Sequence, residues 1–488
     1  MLSMLLLRKI LFYVFLIIYL VICPIVILYS FGYIYVPTPE EGIVKTGLIH
    51  LESLPPGAEV RLDQKLMPDH TPCTLSELVP GRYSVTVSLE NYRHWFRQVT
   101  VEPGKAAVFD RILLIPEHLR RSVLKDHPFE TIVNIPGTRF LLLKSGQNAG
   151  GLTVYDWKNN SFKKLISQGT PYAGEATERI FTVKESPHVL VLTQAKETLR
   201  YLWCDLREEN IVISEITELF RDTIPDEVKW EGTYPRFLFA FHKGRLDRLD
   251  LDESKVDQNF TERIKGFGIH KGKVYTLRND SLARMPLDAN GSGPDIVERG
   301  RFLSRIFERD DTFRMDFLRA DKVFFIGKKQ TLFANRLPYH FVEKGFVDYW
   351  PDDDSKMALI WTSKEIGLLN FEKRAPAGAL FERGAEVDWF FQQGSDIRQV
   401  FFAYDTSHVI FNDGETVFLS EVDGKGKRPV KITEILKGSG LFYSGKKGSL
   451  YYLDPETRYF MLLEILPEEK YLERMFQEIE KTRRDQKV

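Results

Sequence analysis

Hydrophobic and polar positions change their period three times along this chain, and each change predicts a different element. No charged residue lies between Lys9 and Glu40, and Ile10 to Phe31 is a nearly continuous apolar run. A helix rises about 1.5 Å per residue, so roughly 20 apolar residues cross the hydrocarbon core of a bilayer. An isolated span must satisfy its backbone internally, so the run predicts a transmembrane helix over residues 10–33. Pro24 removes one backbone donor and predicts a kink. Tyr29, Phe31, Tyr33 and Tyr35 form an aromatic collar at the far end. Arg8 and Lys9 precede the run and Glu40 and Glu41 follow it. That asymmetry predicts a cytoplasmic stub, residues 1–9, and an outward-facing remainder joined by a linker, residues 34–46. A cleaved signal would show small residues at its exit. Leu28-Tyr29-Ser30-Phe31 shows no such pattern, so the run is expected to stay as a tether.

From residue 47 to 116 the period becomes two. In Gly81–Leu89, Tyr83, Val85, Val87 and Leu89 alternate with Ser84, Thr86 and Ser88, the pattern of a half-buried strand. Ala58–Leu62 alternates as well, and Phe96–Val101 does so in part. Pro55-Pro56-Gly57, Thr71-Pro72, Pro80-Gly81 and Pro103-Gly104 punctuate the runs. About six short strands in roughly seventy residues predict a small β-sandwich. Ser53, Pro55-Pro56-Gly57-Ala58, Val60, Leu62, Asp63, Thr71-Pro72, Leu78, Pro80-Gly81, Tyr83, Val85, Val87, Tyr92 and Trp95 follow one another in an order that resembles the PEGA domain. Pro56 stands where that family has Glu, and Asn91 where Gly is usual; both suit turns. The resemblance implies a small extracytoplasmic binding or spacer module of bacterial and archaeal envelope proteins, with no catalytic residues.

From residue 120 to 466 apolar strands arrive in pairs, each joined by a short polar turn. The pairs begin at Arg139, His188, Arg236, Lys273, Lys322, Lys356, His408 and Gly440, and several end on Asp or Asn, as at Asp156, Asp205, Asp250, Asn370 and Asp454. A repeat of about 40 to 50 residues is the length of a β-propeller blade. A blade cannot cover both of its faces alone, so blades must stack around an axis. The region is long enough for seven or eight; two packed sandwiches are the rival arrangement. Pro351–Ala358 with Glu365–Leu368 is similar to the repeats of TolB-like and peptidase-type propellers. From residue 467 to 488 the period turns helical, with Tyr471, Leu472, Met475, Phe476 and Ile479 on one face.

Composition narrows the function more than it names it. The formal net charge of the 488 residues is -1, which gives no nucleic-acid footprint. The 35 Phe and 20 Tyr favour strand-rich structure. Cys23, Cys73 and Cys204 are too few and too scattered for a disulfide scaffold or a zinc site. No phosphate loop, His-Glu-x-x-His, Gly-x-Ser-x-Gly or EF-hand spacing occurs. Asp352-Asp353-Asp354 and Asp310-Asp311 read as solvated turns, Gly438-Ser439-Gly440 as a glycine turn, and Trp203, Trp230, Trp350, Trp361 and Trp389 as core. No catalytic, cofactor-binding or metal-ligating residue is therefore assigned, and no cofactor is expected. The expected partners are the membrane and envelope proteins or glycans. Two functions remain open: a surface binding or scaffold protein, or a glycan- or peptide-processing hydrolase. The hydrolase would show carboxylates from several blades converging at the channel mouth.

Overall fold

A computed structural model describes residues 2–36, 42–146, 151–167, 171–207, 211–220, 224–289, 293–299, 312–318, 322–334, 341–342, 345–352, 356–371, 387–404, 406–422 and 429–465. The chain divides into two units, Met1–Arg120 and Arg121–Val488.

The first unit begins with a helix, Leu2–Ser30, that continues through Pro24. Its uncharged stretch Leu11–Ser30 is long and apolar enough to cross a membrane. The helix stops three residues short of the expected boundary because Gly32 turns into the left-handed region at φ +80°, where glycine carries no Cβ penalty. The expected linker is also different. Tyr33–Val36 pairs antiparallel with Gly42–Lys45, so Tyr33 and Tyr35 sit on a hairpin.

A sandwich of seven strands follows. One sheet holds Cys73–Leu78, Gly47–Leu54 and Ala106–Leu113; the other holds Lys65–His70, Glu59–Leu62, Gly81–Ser88 and Trp95–Val101. Ile49, Leu51, Val60, Val85 and Val87 are fully buried between them, as the alternation requires. Gly47–Leu54 runs parallel to Ala106–Leu113, a pairing of distant segments that periodicity does not encode. The PEGA-like residues knot the sandwich internally. Buried Thr71 lies 2.6 Å from Ser53 through their hydroxyls and accepts from the Ala58 amide at 3.0 Å, while Gly57 donates to the Thr71 carbonyl at 2.6 Å. Asp63 accepts from the Ser84 amide, and the Tyr83 hydroxyl donates to Val79.

The second unit contains eight four-stranded sheets among the described residues. We number these blades in chain order. The first strands are Thr131–Asn134, Ala176–Thr182, Glu227–Lys229, Gly266–His270, Phe313–Phe317, Phe346–Pro351, Ile397–Ala403 and Phe442–Ser444. In blades 1 to 7 the strand pair read from sequence forms the second and third strands. In blade 8 it forms the first and second, Phe442–Ser444 and Ser449–Leu453. Phe460–Glu464 is third, and the outer strand is Arg120–Lys125 from the start of the region. Blade 8 then packs on blade 1: the Phe129 amide donates to the Arg458 carbonyl at 3.0 Å and the Tyr155 and Phe460 rings meet edge to face. A Cβ on Gly440 would stand 2.3 Å from the Ile132 carbonyl oxygen.

Second strands are buried on both faces, as Phe140–Leu143 and His188–Thr193 show, which is why they read as unbroken apolar runs rather than alternations. An Asp at a strand end caps the turn that follows. Asp156 and Asp250, at the ends of third strands, and Asp454, just after the second strand of blade 8, each accept two backbone amides, two and three residues ahead. In blades 1 to 3 a cationic or imidazole residue at the start of the second strand faces this Asp. Arg139 lies 3.0 Å from Asp156, His188 3.5 Å from Asp205 and Arg236 2.8 Å from Asp250. Long side chains also tie each of these blades to the next: Lys144 donates to the Thr177 carbonyl, Arg179 to those of Pro225 and Asp226, and Arg248 to those of Leu287 and Ala289. Trp230 and Trp361 are buried, as expected. Residues 467–488, where a helix is expected, lie outside the described residues, as do Asp310-Asp311 and Asp353-Asp354. Asp352 caps its turn by accepting from the Met357 amide.

Candidate functional site

First strands of neighbouring blades approach one another in blades 2 and 3, 4 and 5, and 6 and 7, the place that the strand nearest the axis takes in a propeller. Two glycines in blade 4 bring its first strand unusually close to blade 5. A Cβ on Gly266 would stand 2.1 Å from the Phe313 carbonyl oxygen, and one on Gly268 would stand 2.6 Å from the Phe317 ring. With no side chain there, Lys229 of blade 3 reaches past blade 4 and donates to the carbonyls of Phe267 at 3.3 Å and Met315 at 2.7 Å.

Strand alternation supplies the rest. In blade 3, Val228 is buried while Glu227 and Lys229 share the other face; in blade 5, Phe313 and Met315 are buried while Arg314 and Asp316 share the other face. Blade 6 contributes Asp348 beside a bulge between Phe346 and Asp348. These five side chains form a line of alternating charge. Glu227 lies 3.0 Å from Lys229, Lys229 lies 3.6 Å from Asp316, Asp316 lies 2.8 Å from Arg314, and Arg314 lies 3.1 Å from Asp348. The Tyr349 hydroxyl donates to Asp316 at 3.2 Å. One end is closed, with Lys229 only 15% and Glu227 20% exposed; the other is open, with Arg314 43% and Asp348 47% exposed.

Three carboxylates face two cations, so the line carries one excess negative charge when every group is ionised, and the acids at its ends respond. Burial raises the Glu227 carboxyl above its usual range against the pull of Lys229. Burial also raises Asp348, against Arg314, although water tempers the effect at its more open position. Asp316 sits between both cations; burial opposes its ionised form, but Arg314 and Lys229 outweigh burial and hold it below the carboxylate range. Burial, then the Asp316 charge, raises Tyr349 well above an ordinary phenol. Carboxylates from three blades thus meet, each beside a cation.

None of these five residues is singled out by motif. The signal available in the sequence is weak: Glu-x-Lys and Arg-x-Asp, two apart, on the short strands that precede the conspicuous strand pairs. Among the described residues no cluster of His, Cys, Asp and Glu could hold a metal ion. Cys73 and Cys204 are buried free thiols, and burial raises both, Cys73 to about 11 and Cys204 to about 12; neither is a nucleophile at neutral pH.

The PEGA domain family model matches residues 46–113. Those residues form a PEGA domain. No curated protein matches the chain. Solved structures similar to it are propeller proteins. The β-propeller domain of Cps50 (Swd1) from Myceliophteria thermophila is 10% identical, covers 72% of this chain and 99% of its own, and has a TM-score of 0.36. Hsv2 from Kluyveromyces lactis is 8% identical, with coverage of 69% and 97% and a TM-score of 0.38. PorZ from Porphyromonas gingivalis, described as an essential surface component of the type-IX secretion system, is 9% identical, with coverage of 68% and 42% and a TM-score of 0.38. The propeller architecture of this chain is carried by its own eight sheets.

Proposed function

We propose that this chain is a membrane-anchored, extracytoplasmic binding or scaffold protein of the cell envelope, with the propeller as its interaction platform. The observation that carries this reading is the PEGA domain at 46–113 directly after a helix apolar enough to span a bilayer. The positive-inside asymmetry puts residues 1–9 in the cytoplasm and both folded units outside. The motif residues of the PEGA domain are spent on internal hydrogen bonds, which suits a spacer. At the axis Lys229 and Arg314 stand between the carboxylates, which suits a fixed wall more than a cleft. Envelope proteins or glycans are the partners this reading expects, with no role for nucleic acid. Protease digestion of intact spheroplasts tests the topology. Both folded units should be degraded; full protection would overturn the orientation. Binding of the full chain in nanodiscs to isolated envelope glycans and to cross-linked envelope proteins tests the platform.

One observation favours a second reading. Glu227 and Asp348 are pushed up while Asp316 is pushed down, and carboxylates whose pKa values are driven apart are the raw material of acid–base chemistry. A hydrolase using them would turn over a peptide or glycan panel and lose that activity in Glu227→Gln and Asp348→Asn. A scaffold would show no turnover to lose.

A further inference from the structure

We infer that the paired strands Tyr33–Val36 and Gly42–Lys45 form a lipid-headgroup docking surface that holds the PEGA domain at a fixed height on the bilayer; this rests on the proposal that the helix Leu2–Ser30 is a membrane anchor. Antiparallel pairing puts Tyr33 opposite Lys45 and Tyr35 opposite Ile43, so these four side chains share one face. Tyr35 is 74% and Ile43 60% exposed, and the Lys45 ammonium lies 5.9 Å from the centre of the Tyr33 ring. Two aromatics, an aliphatic and a cation on one face match the headgroup layer, where amphipathic rings bridge apolar and wet regions and lysine meets lipid phosphate. The occupant follows from continuity, since the face begins three residues after the helix and Phe31 between them is 69% exposed.

The strand pair is also bracketed at its base. Gly32 donates to the Tyr29 carbonyl at 2.9 Å, and the Gly32 carbonyl accepts from the Thr46 amide at 2.7 Å and from its hydroxyl at 2.9 Å. The Gly104 amide donates to the Thr46 carbonyl at 2.9 Å, and the Tyr29 hydroxyl donates to Glu77 at 2.6 Å. These bonds link the helix end and the strand pair to the edge strand Cys73–Leu78 and to the turn before Ala106–Leu113, so the sandwich is bolted to the helix rather than strung from it.

The test uses the full chain in vesicles of phosphatidylethanolamine and phosphatidylglycerol. Cys23→Ala is combined with Tyr35→Cys or Ile43→Cys, and the new thiol is labelled with an NBD fluorophore; Cys73 and Cys204 are buried and stay unlabelled. The docked face predicts quenching of both labels by headgroup-region spin-labelled lipid, and iodide quenching several-fold weaker than for free NBD-cysteine. Labels as open to iodide as the free adduct, in protein that still resists carbonate extraction, would overturn the docking surface and leave the anchor standing. Release of the chain by carbonate would instead overturn the anchor, and the docking surface with it.

Discussion

Replacing Lys229 by Met is the sharpest probe of the axial charge line. Methionine keeps the length and most of the apolar stem, so the change chiefly removes the ammonium. That ammonium donates to two main-chain carbonyls, from Phe267 and Met315, and neutralises Glu227 and Asp316. A hydrogen bond to a charged group contributes about 1.5–3 kcal/mol, and removing one partner of a buried ion pair costs about 3–5 kcal/mol because its mate is left uncompensated. Lys229 and Glu227 keep some water contact, so a loss on the order of 3 kcal/mol is expected. Without Lys229 the Glu227 carboxyl rises further and takes up a proton in the folded state. Its penalty therefore shrinks below neutral pH, and the deficit should be larger at pH 8 than at pH 5. Glu227→Gln in the Lys229→Met background should recover on the order of 1 kcal/mol or more, since it removes the stranded charge. Urea unfolding of the full chain in detergent, followed by tryptophan fluorescence, measures the parent, Lys229→Met, Glu227→Gln and the double variant without screening the ion pairs. A Lys229→Met variant within about 0.5 kcal/mol of the parent, or one equally destabilised with Glu or Gln at position 227, would refute the coupled line.

Three further outcomes follow from the same packing. Gly266→Ala should destabilise the propeller by about 2 kcal/mol or more, because its Cβ meets a main-chain oxygen that cannot swing aside; Gly293→Ala, with open space around it, should be nearly neutral by the same denaturation assay. His188 is held neutral, its pKa lowered chiefly by burial against the pull of Asp205. Below the ordinary histidine pKa of about 6.5 the unfolded chain gains a proton that the folded chain refuses. Its contribution is thus complete above that pH and lost as pH falls, so His188→Gln should flatten the drop in Tm between pH 7 and pH 5. Thr71→Val should cost the PEGA domain about 1–3 kcal/mol by leaving the Ala58 amide without its acceptor, while the Ser53 hydroxyl still donates to the Pro55 carbonyl, read as faster local hydrogen exchange at residues 57–60.

Much of the architecture is written in short-range patterns. The apolar run, the alternating sandwich strands and the paired strands of each blade are local. Period, turn residues and run length dictate them within ten or so positions. Even the recurring Asp at strand ends has a local cause, since its carboxylate caps amides two and three residues ahead. Resemblance to the PEGA pattern is legible for the same reason, because Thr71, Gly57 and Tyr83 make bonds within or beside the turns of this sandwich.

Pairings between distant segments emerge only in the folded chain. Arg120–Lys125 completes a sheet with Phe460–Glu464, and Gly47–Leu54 takes Ala106–Leu113 as a parallel neighbour. No local period specifies either partner, because an edge strand offers the same donors and acceptors to any strand that reaches it. The axial charges are the same case. Glu227, Arg314 and Asp348 are unremarkable polar residues on separate short strands, and they become one line of charge only when Gly266 and Gly268 let blades 4 and 5 close up. Local pattern marks the helix, the sandwich strands and the paired strands of each blade. Packing around the axis determined which charges meet, because ion pairing depends on distance in space and leaves no period along the chain.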